Sequence, residues 1–269
     1  MKKLIYLKLG GSLVTDKKKA YTFQASQVKQ IVQEVVEALQ TDLDIQLVLG
    51  NGAGSFAHQS ATKYQLKNGA TSAEGKYGAA VTHQDATYLN HLISHLFHAS
   101  SLPVFSLQPS AFIRATNRQT THLDLSIFED MVRQGIIPFI YGDVIIDSQV
   151  GATVYSTDRL FREIAQKHVS TSFAPQLIIH AGNYDGVLDQ NNKIIPHITP
   201  HNFEEIKNNF YTSDTVDVTG GMQQKVAEMM QLAVKGIPSI IINGSKKGHI
   251  KNALIGAVSS GTYISTAKI

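Results

Sequence analysis

Three glycine-rich stretches, two with a lysine close by and one ending in a histidine, are the parts of this chain best suited to chemistry. One runs Gly50-Asn51-Gly52-Ala53-Gly54-Ser55-Phe56-Ala57-His58, directly after an apolar run. Glycines there let backbone N–H groups turn toward an oxyanion without a Cβ in the way. Gly52, Ala53 and Gly54 are expected to cradle a substrate phosphate, and His58 adds a directional donor that a plain phosphate loop lacks. Another is Lys8-Leu9-Gly10-Gly11-Ser12, where a charge sits in the last residues of an apolar strand. A charge in a buried strand needs a partner, and a phosphate would supply one. The last is Thr219-Gly220-Gly221-Met222 with Lys225, which reads as a helix N-terminus with a cation one turn inside.

Two carboxylates complete the set. Asp158, in Tyr155-Ser156-Thr157-Asp158-Arg159, opens a helix, and a carboxylate that holds two ammonium groups in position suits a phosphate-transfer site. Asp143, after the Tyr141-Gly142 turn, is a second candidate for the same kind of role. Taken singly, each of these fragments is also what an ordinary turn, cap or solvated face looks like. Other chemistries find less support. His91, His95 and His98 have helical spacing but no HExxH pattern, so they read as a helix face and no metal site is assigned. Asn51-Gly52-Ala53-Gly54-Ser55 carries alanine where a hydrolase elbow needs serine. The P-loop ending in Gly-Lys-Ser/Thr and the protein-kinase motifs are absent. With no cysteine, disulfides and thiolate metal sites are excluded.

The elements that must position these residues alternate. An apolar run at 4–7 reads as a strand entering a tight turn at Gly10-Gly11. Val28, Ile31, Val32, Val35, Val36 and Leu39 repeat with helical spacing behind Ser26, a candidate N-cap. Strands are predicted at 45–49, 103–107, 136–141, 176–180 and 238–242, with a hairpin after Gly142-Asp143. Helices are predicted at 84–99, 123–133, 158–167 and 222–235. This pattern predicts an α/β fold, a mainly parallel central sheet covered by helices on both faces, with any two lobes sharing one continuous sheet. Ligands bind such sheets at the C-terminal ends of the strands, where the polar and glycine-rich turns fall.

Composition narrows the function. A formal net charge of +3, with Lys17-Lys18-Lys19 as the one basic run, argues against a nucleic-acid surface. No apolar run approaches the ~18 residues of a membrane span, and the Met1-Lys2-Lys3 start lacks a signal-peptide core. A cytoplasmic enzyme is expected.

As a set, these pieces resemble the amino acid kinase superfamily. The resemblance rests on Lys8–Ser12, the loop 50–54, Asp158, Asp185-Gly186-Val187, and Asp217-Val218-Thr219-Gly220-Gly221-Met222 with Lys225, in the family's order. A narrower resemblance, to the isopentenyl phosphate kinases, rests on Thr15-Asp16-Lys17, Gly54–His58, Gln108-Pro109-Ser110-Ala111 and Tyr141-Gly142-Asp143-Val144. It implies an ATP- and Mg2+-dependent transfer to a phosphate acceptor, in which His58 and Lys17 hold acceptor or transferring phosphate. It further implies that Lys8, Gly10, Gly11, Ser12, Gly54, Asp158, Gly182, Asp185, Gly220, Gly221 and Lys225 serve the nucleotide. Gly52, Ala53, Gly54, His58, Gly142 and Asp143 are implied on the acceptor side. The resemblance implies one domain over 1–269, with an acceptor lobe to about residue 170 and a nucleotide lobe beyond it, and a homodimer. Departures are Asn51 in place of a histidine, Ala53 and Ala57 in place of glycines, Thr157-Asp158-Arg159 in place of a Gly-Asp-Asp run, and Gly182-Asn183-Tyr184 in place of Thr-Asp-Val. The aspartate-arginine pair is similar to a related fosfomycin kinase, which keeps a phosphonate kinase open as an alternative. A non-catalytic nucleotide or metabolite sensor is the alternative of another class.

Overall fold

Five apolar segments that end in turn sequences form the centre of the molecule. They are β1 (Lys3–Leu9), β2 (Ile45–Asn51), β6 (Ile137–Tyr141), β9 (Leu177–Gly182) and β11 (Ser239–Asn243). With β3 (Val104–Ser106), β10 (His197–Ile198) and β12 (Thr262–Ile264) they make an eight-stranded sheet in the order β10-β12-β11-β9-β1-β2-β6-β3. Every pairing is parallel except β11 with β12. The computed structural model describes residues 2–207 and 221–266.

Helices cover both faces. On one face lie α1 (Gly11–Val14), α2 (Ala25–Thr41), α4 (Ala73–His98) and α10 (His249–Leu254), packed on Ile5, Leu7, Leu9, Leu47 and Leu49. α6 (Ser126–Arg133), α7 (Thr157–His168) and α9 (Gly221–Ala233) take the other face, where α6 and α7 meet Leu4, Tyr6 and Val48. Strand alternation sends Leu7 and Leu9 to one face and Tyr6 and Lys8 to the other. Continuous burial along the central strands is what a sheet covered twice requires. The expected three-layer α/β/α architecture is therefore present.

The chain departs from the sequence reading in four places. A separate four-stranded sheet, β5-β4-β7-β8, stands beside the main one, built from β4 (Ile113–Thr116), β5 (Gln119–Leu123), β7 (Asp143–Asp147) and β8 (Gly151–Tyr155). The main sheet is continuous as expected, but the chain leaves it at Gly142, whose N–H is bonded to the Asn51 carbonyl. The Asp147 carboxylate then accepts four backbone N–H groups, from Asn117, Arg118, Gln149 and Val150, and so fixes both turns of the second sheet. Second, the helix predicted at 123–133 begins only at Ser126, because Leu123 still belongs to β5, which pairs with β4. Third, α4 starts eleven residues earlier than the apolar periodicity indicated, capped by Ser72. Its first turns pack through small residues: a Cβ on Gly78 would sit 2.2 Å from the Tyr64 Cβ. Periodicity does not register such a contact. Fourth, Ser26 is not the cap of α2, which begins at Ala25 behind Gln24 with no side-chain cap.

Candidate active site

The strand ends bring the sequence candidates to one edge. Lys8 pairs in register with Gly50 of β2 and with His180 of β9, Asn51 pairs with Tyr141, and Gly182 with Asn243. The two glycine stretches of the N-terminal half lie back to back. A Cβ on Gly11 would stand 2.6 Å from the Gly54 nitrogen, and one on Gly52 would stand 2.9 Å from the Gly11 nitrogen. Only glycine allows that approach, and Gly54 also has φ +55°. Gly10 is tied to β9 through its N–H to the Ala181 carbonyl at 2.8 Å. Ser12 is tied in the same direction, its carbonyl accepting from Asn183 Nδ2 at 2.8 Å.

At the centre, Lys8 Nζ donates to Asp158 Oδ2 in a short ion pair across 150 residues of chain. Ser156 caps α7 and sets Asp158 in its first turn, where the helix dipole favours a negative charge. His180 Nδ1 bonds the other oxygen, Oδ1, at 3.1 Å. All three side chains are nearly buried. Burial alone pushes the Asp158 carboxyl up, but the Lys8 charge and the His180 hydrogen bond outweigh it and hold the carboxyl well below the usual range. His180 is pushed down by burial, against the pull of Asp158. Lys225, in the second turn of α9, lines the same small cavity as Asp158 and His180. The structure thus brings Lys8, Asp158 and Lys225 to one place; of the two ammonium groups expected on Asp158, Lys8 is on Oδ2, and His180 takes Oδ1. Gly221 opens α9, whereas Gly220 and 217–219 lie outside the described residues.

The other half of the site is built on α3 (Gly54–Lys63) and α4. His58 sits exposed in the second turn of α3, and Lys17 is exposed in the loop after α1. Beneath the loop, α4 carries a polar stripe at helical spacing. His83 Nδ1 bonds Asp143 Oδ1 at 2.7 Å, Thr87 Oγ1 meets the Tyr141 hydroxyl at 3.3 Å, and Asn90 donates to Asn51 Oδ1 at 3.0 Å. Asn51 Nδ2 in turn bonds the Gly52 carbonyl at 3.2 Å. The asparagine that stands in place of a histidine is therefore a buried brace for the glycine loop. Asp143 is sealed, accepting also from the Ser110 and Val144 N–H groups. Its hydrogen bond and charge raise the His83 pKa against the effect of partial burial.

Three further candidates have local explanations. Arg159 turns to the second sheet: it stacks 3.6 Å over the Tyr155 ring and bonds Glu163 at 2.7 Å and the Arg118 carbonyl at 2.9 Å. It fastens the β4–β5 hairpin to α7 and leaves Asp158 to Lys8. Asp185 pairs with Lys246 at 2.7 Å and Asn243 at 2.9 Å, and both lower its pKa. His98 bonds the Val104 carbonyl at 2.7 Å, a structural use for one member of the helical histidine trio.

Sequence reasoning missed His180 and His83. A signal existed for each: His180 is a polar residue inside an apolar strand, the argument already applied to Lys8. His83, Thr87, Asn90 and Ser94 form an i, i+4, i+7, i+11 stripe.

The pattern of the amino acid kinase family matches residues 3–243. The chain belongs to the amino acid kinase family. It is 33% identical over 97% of its length to the isopentenyl phosphate kinase of Methanothermobacter thermautotrophicus, covering 98% of that protein. To the isopentenyl phosphate kinase of Methanocaldococcus jannaschii it is 30% identical, covering 97% of this chain and 98% of that one. Among solved structures, an isopentenyl phosphate kinase superposes with a TM-score of 0.76 at 28% identity, over 97% of this chain and all of that one. The family assignment agrees with the mainly parallel sheet and with an edge lined by lysines and glycine loops.

Proposed function

We propose that the chain transfers the γ-phosphoryl group of ATP to isopentenyl phosphate, giving isopentenyl diphosphate. The observation that carries this reading is the Lys8–Asp158 pair beside two abutting glycine loops, one of which leads to His58. Its 30–33% identity to isopentenyl phosphate kinases over nearly the whole chain supports the choice of acceptor.

Phosphoryl transfer is a problem of alignment and charge neutralisation. Lys8 and Lys225 bracket the transferring group, with Asp158 holding Lys8 in place. The Gly10 and Gly11 amides add donors, and a Cβ on Gly10 would already meet the Ala181 carbonyl at 3.0 Å. This cradle of glycines and cations fits a polyphosphate. Gly54, Ser12, Gly182, Asp185, Gly220 and Gly221 complete the nucleotide side. Among the described residues no three acidic or histidine side chains form a metal cage, so Mg2+ would come with the ATP phosphates and water. On the acceptor side, Gly52, Ala53, Gly142 and Asp143 shape the pocket while His58 and Lys17 neutralise the phosphate. A phosphate monoester has its second pKa near ~6, so it is mostly dianionic at neutral pH and needs no general base to attack. Holding two anions together is what the site must do, and Lys8, Lys17 and Lys225 supply the positive charge for it.

With this function we place the acceptor lobe at 1–170 and the nucleotide lobe from 171, in a cytoplasmic homodimer. No described helix is long and apolar enough to cross a membrane. The deciding assay is ADP release with Mg-ATP against isopentenyl phosphate, dimethylallyl phosphate, fosfomycin, UMP and acetylglutamate. Turnover with the first two is expected, and its absence overturns the reading. Light scattering on the purified protein tests the dimer.

A further inference from the structure

We infer that His180 is a positioning residue for phosphoryl transfer: as a neutral imidazole it donates from Nδ1 to Asp158 Oδ1, leaving Oδ2 to Lys8. The inference rests on the reading of Lys8 and Asp158 given above and adds a second arm to it. Two observations carry it. His180 pairs in register with Lys8 on the adjacent parallel strand, so both side chains leave the same face toward α7. Asp158 receives one partner on each oxygen, Lys8 on Oδ2 and His180 on Oδ1. A carboxylate held at both oxygens keeps one orientation, whereas one held by a single lysine can swing about χ2.

The surroundings select the protonation state. His180 faces Lys8 from β1, Asp158 and Arg162 from α7, and Lys225 and Glu228 from α9, with the last four lining one small cavity with it. Burial disfavours a positive charge on His180, and the Lys8 and Lys225 charges disfavour it further, against the pull of Asp158. With the proton on Nδ1, Nε2 is an acceptor, and it is buried without a protein partner, as is Arg162 Nε. The cavity, at ≈ 10 Å³, has room for about one water. Such a water would accept from Arg162 Nε–H and donate to His180 Nε2, which favours the same tautomer. A neutral histidine also leaves the Asp158 charge undivided, so the carboxylate's attraction stays on the lysine that meets the transferring phosphoryl group.

The test pairs two variants with one direct observation. His180→Leu keeps the bulk and removes the donor, while His180→Asn returns an N–H near the Nδ1 position. His180→Leu should lower kcat by about 10- to 100-fold, with KM for ATP and acceptor changed less than about twofold, and His180→Asn should recover most of that loss. In wild-type protein without substrates, 15N NMR should show His180 neutral, protonated at Nδ1, and still neutral below the ordinary histidine pKa of ~6.5. An unchanged kcat in His180→Leu, a change confined to KM, or no recovery in His180→Asn would overturn the inference. Should His180→Leu not fold, the NMR decides alone: an imidazolium at neutral pH or an Nε2–H tautomer sinks the idea. Lys8→Ala separates the two levels of argument. Wild-type rates there defeat the reading of the site itself, whereas a collapsed rate alongside a normal His180→Leu defeats only the role of His180.

Discussion

Two carboxylates, one on each side of the site, hold a histidine each, and the pKa values of the two histidines are shifted in opposite directions. Asp158 binds His180 together with the Lys8 ammonium; Asp143 binds His83 together with two backbone N–H groups. His180 is nearly buried beside cations, and burial lowers its pKa. His83 is one-third exposed, and its hydrogen bond to Asp143 raises its pKa against the effect of partial burial. The same aspartate–histidine pair thus holds a histidine that is harder to protonate where phosphoryl transfer is proposed and one that is easier to protonate where the acceptor is proposed to enter. What separates them is the charge and solvent next to each histidine.

The comparison can be broken from the transfer side first. Lys8→Ala should lower kcat by about 10³-fold, since it removes a cation from the transferring group, and steady-state ADP release checks it. Asp158→Asn should cost about 10²-fold by freeing Lys8 from its position. It should also flatten the acid limb of stability. The Asp158 pKa is depressed in the fold, so its stabilisation is present above the unfolded value of ~3.9 and is lost as pH falls below it. Urea midpoints of wild type and Asp158→Asn should therefore converge on acidification; a constant gap speaks against the pair.

On the acceptor side, His58→Ala should lower kcat/KM for the phosphate acceptor by roughly 10- to 100-fold, the worth of a hydrogen bond to a charged group, while calorimetry shows ATP binding unchanged. Equal loss of both would remove the assigned role. His83→Gln should change the rate by only about threefold but should change the pH dependence of stability. A raised folded pKa means that the His83 contribution is full below ~6.5 and disappears as pH rises through the folded value. The wild-type advantage in urea midpoint should shrink over that window. The smallest effect on rate belongs to Arg159→Ala, within about twofold, with a loss of a few degrees in Tm from the hairpin clamp.

Much of the fold was legible because each element carries its own period. The α2 repeat, the apolar strands and the turns at Gly10-Gly11 and Gly142 are local patterns, and the structure keeps them with shifts of a few residues. The start of α4 was not legible, since Gly78 packs on Tyr64 by being small, and smallness has no hydrophobic signature. The second sheet was missed for a related reason. β4 and β5 are short and partly exposed, and what fixes them is one carboxylate, Asp147, thirty residues away in sequence from the turn it caps.

The site divides along the same line. Residue types alone marked Lys8, Asp158 and Lys225, because an ammonium in an apolar strand and glycines before a helix are costly unless an anion explains them. The sequence could not say that Asp158 meets Lys8 through one oxygen and His180 through the other. That follows from the parallel register of β1 with β9 and from the seating of α7 on the same face, contacts made across up to 150 residues. Nor could it say that Arg159 turns away or that Asn51 braces the glycine loop. Sequence patterns record what each segment needs to bury; only the folded chain decides which partner meets that need, because the partner comes from a different segment.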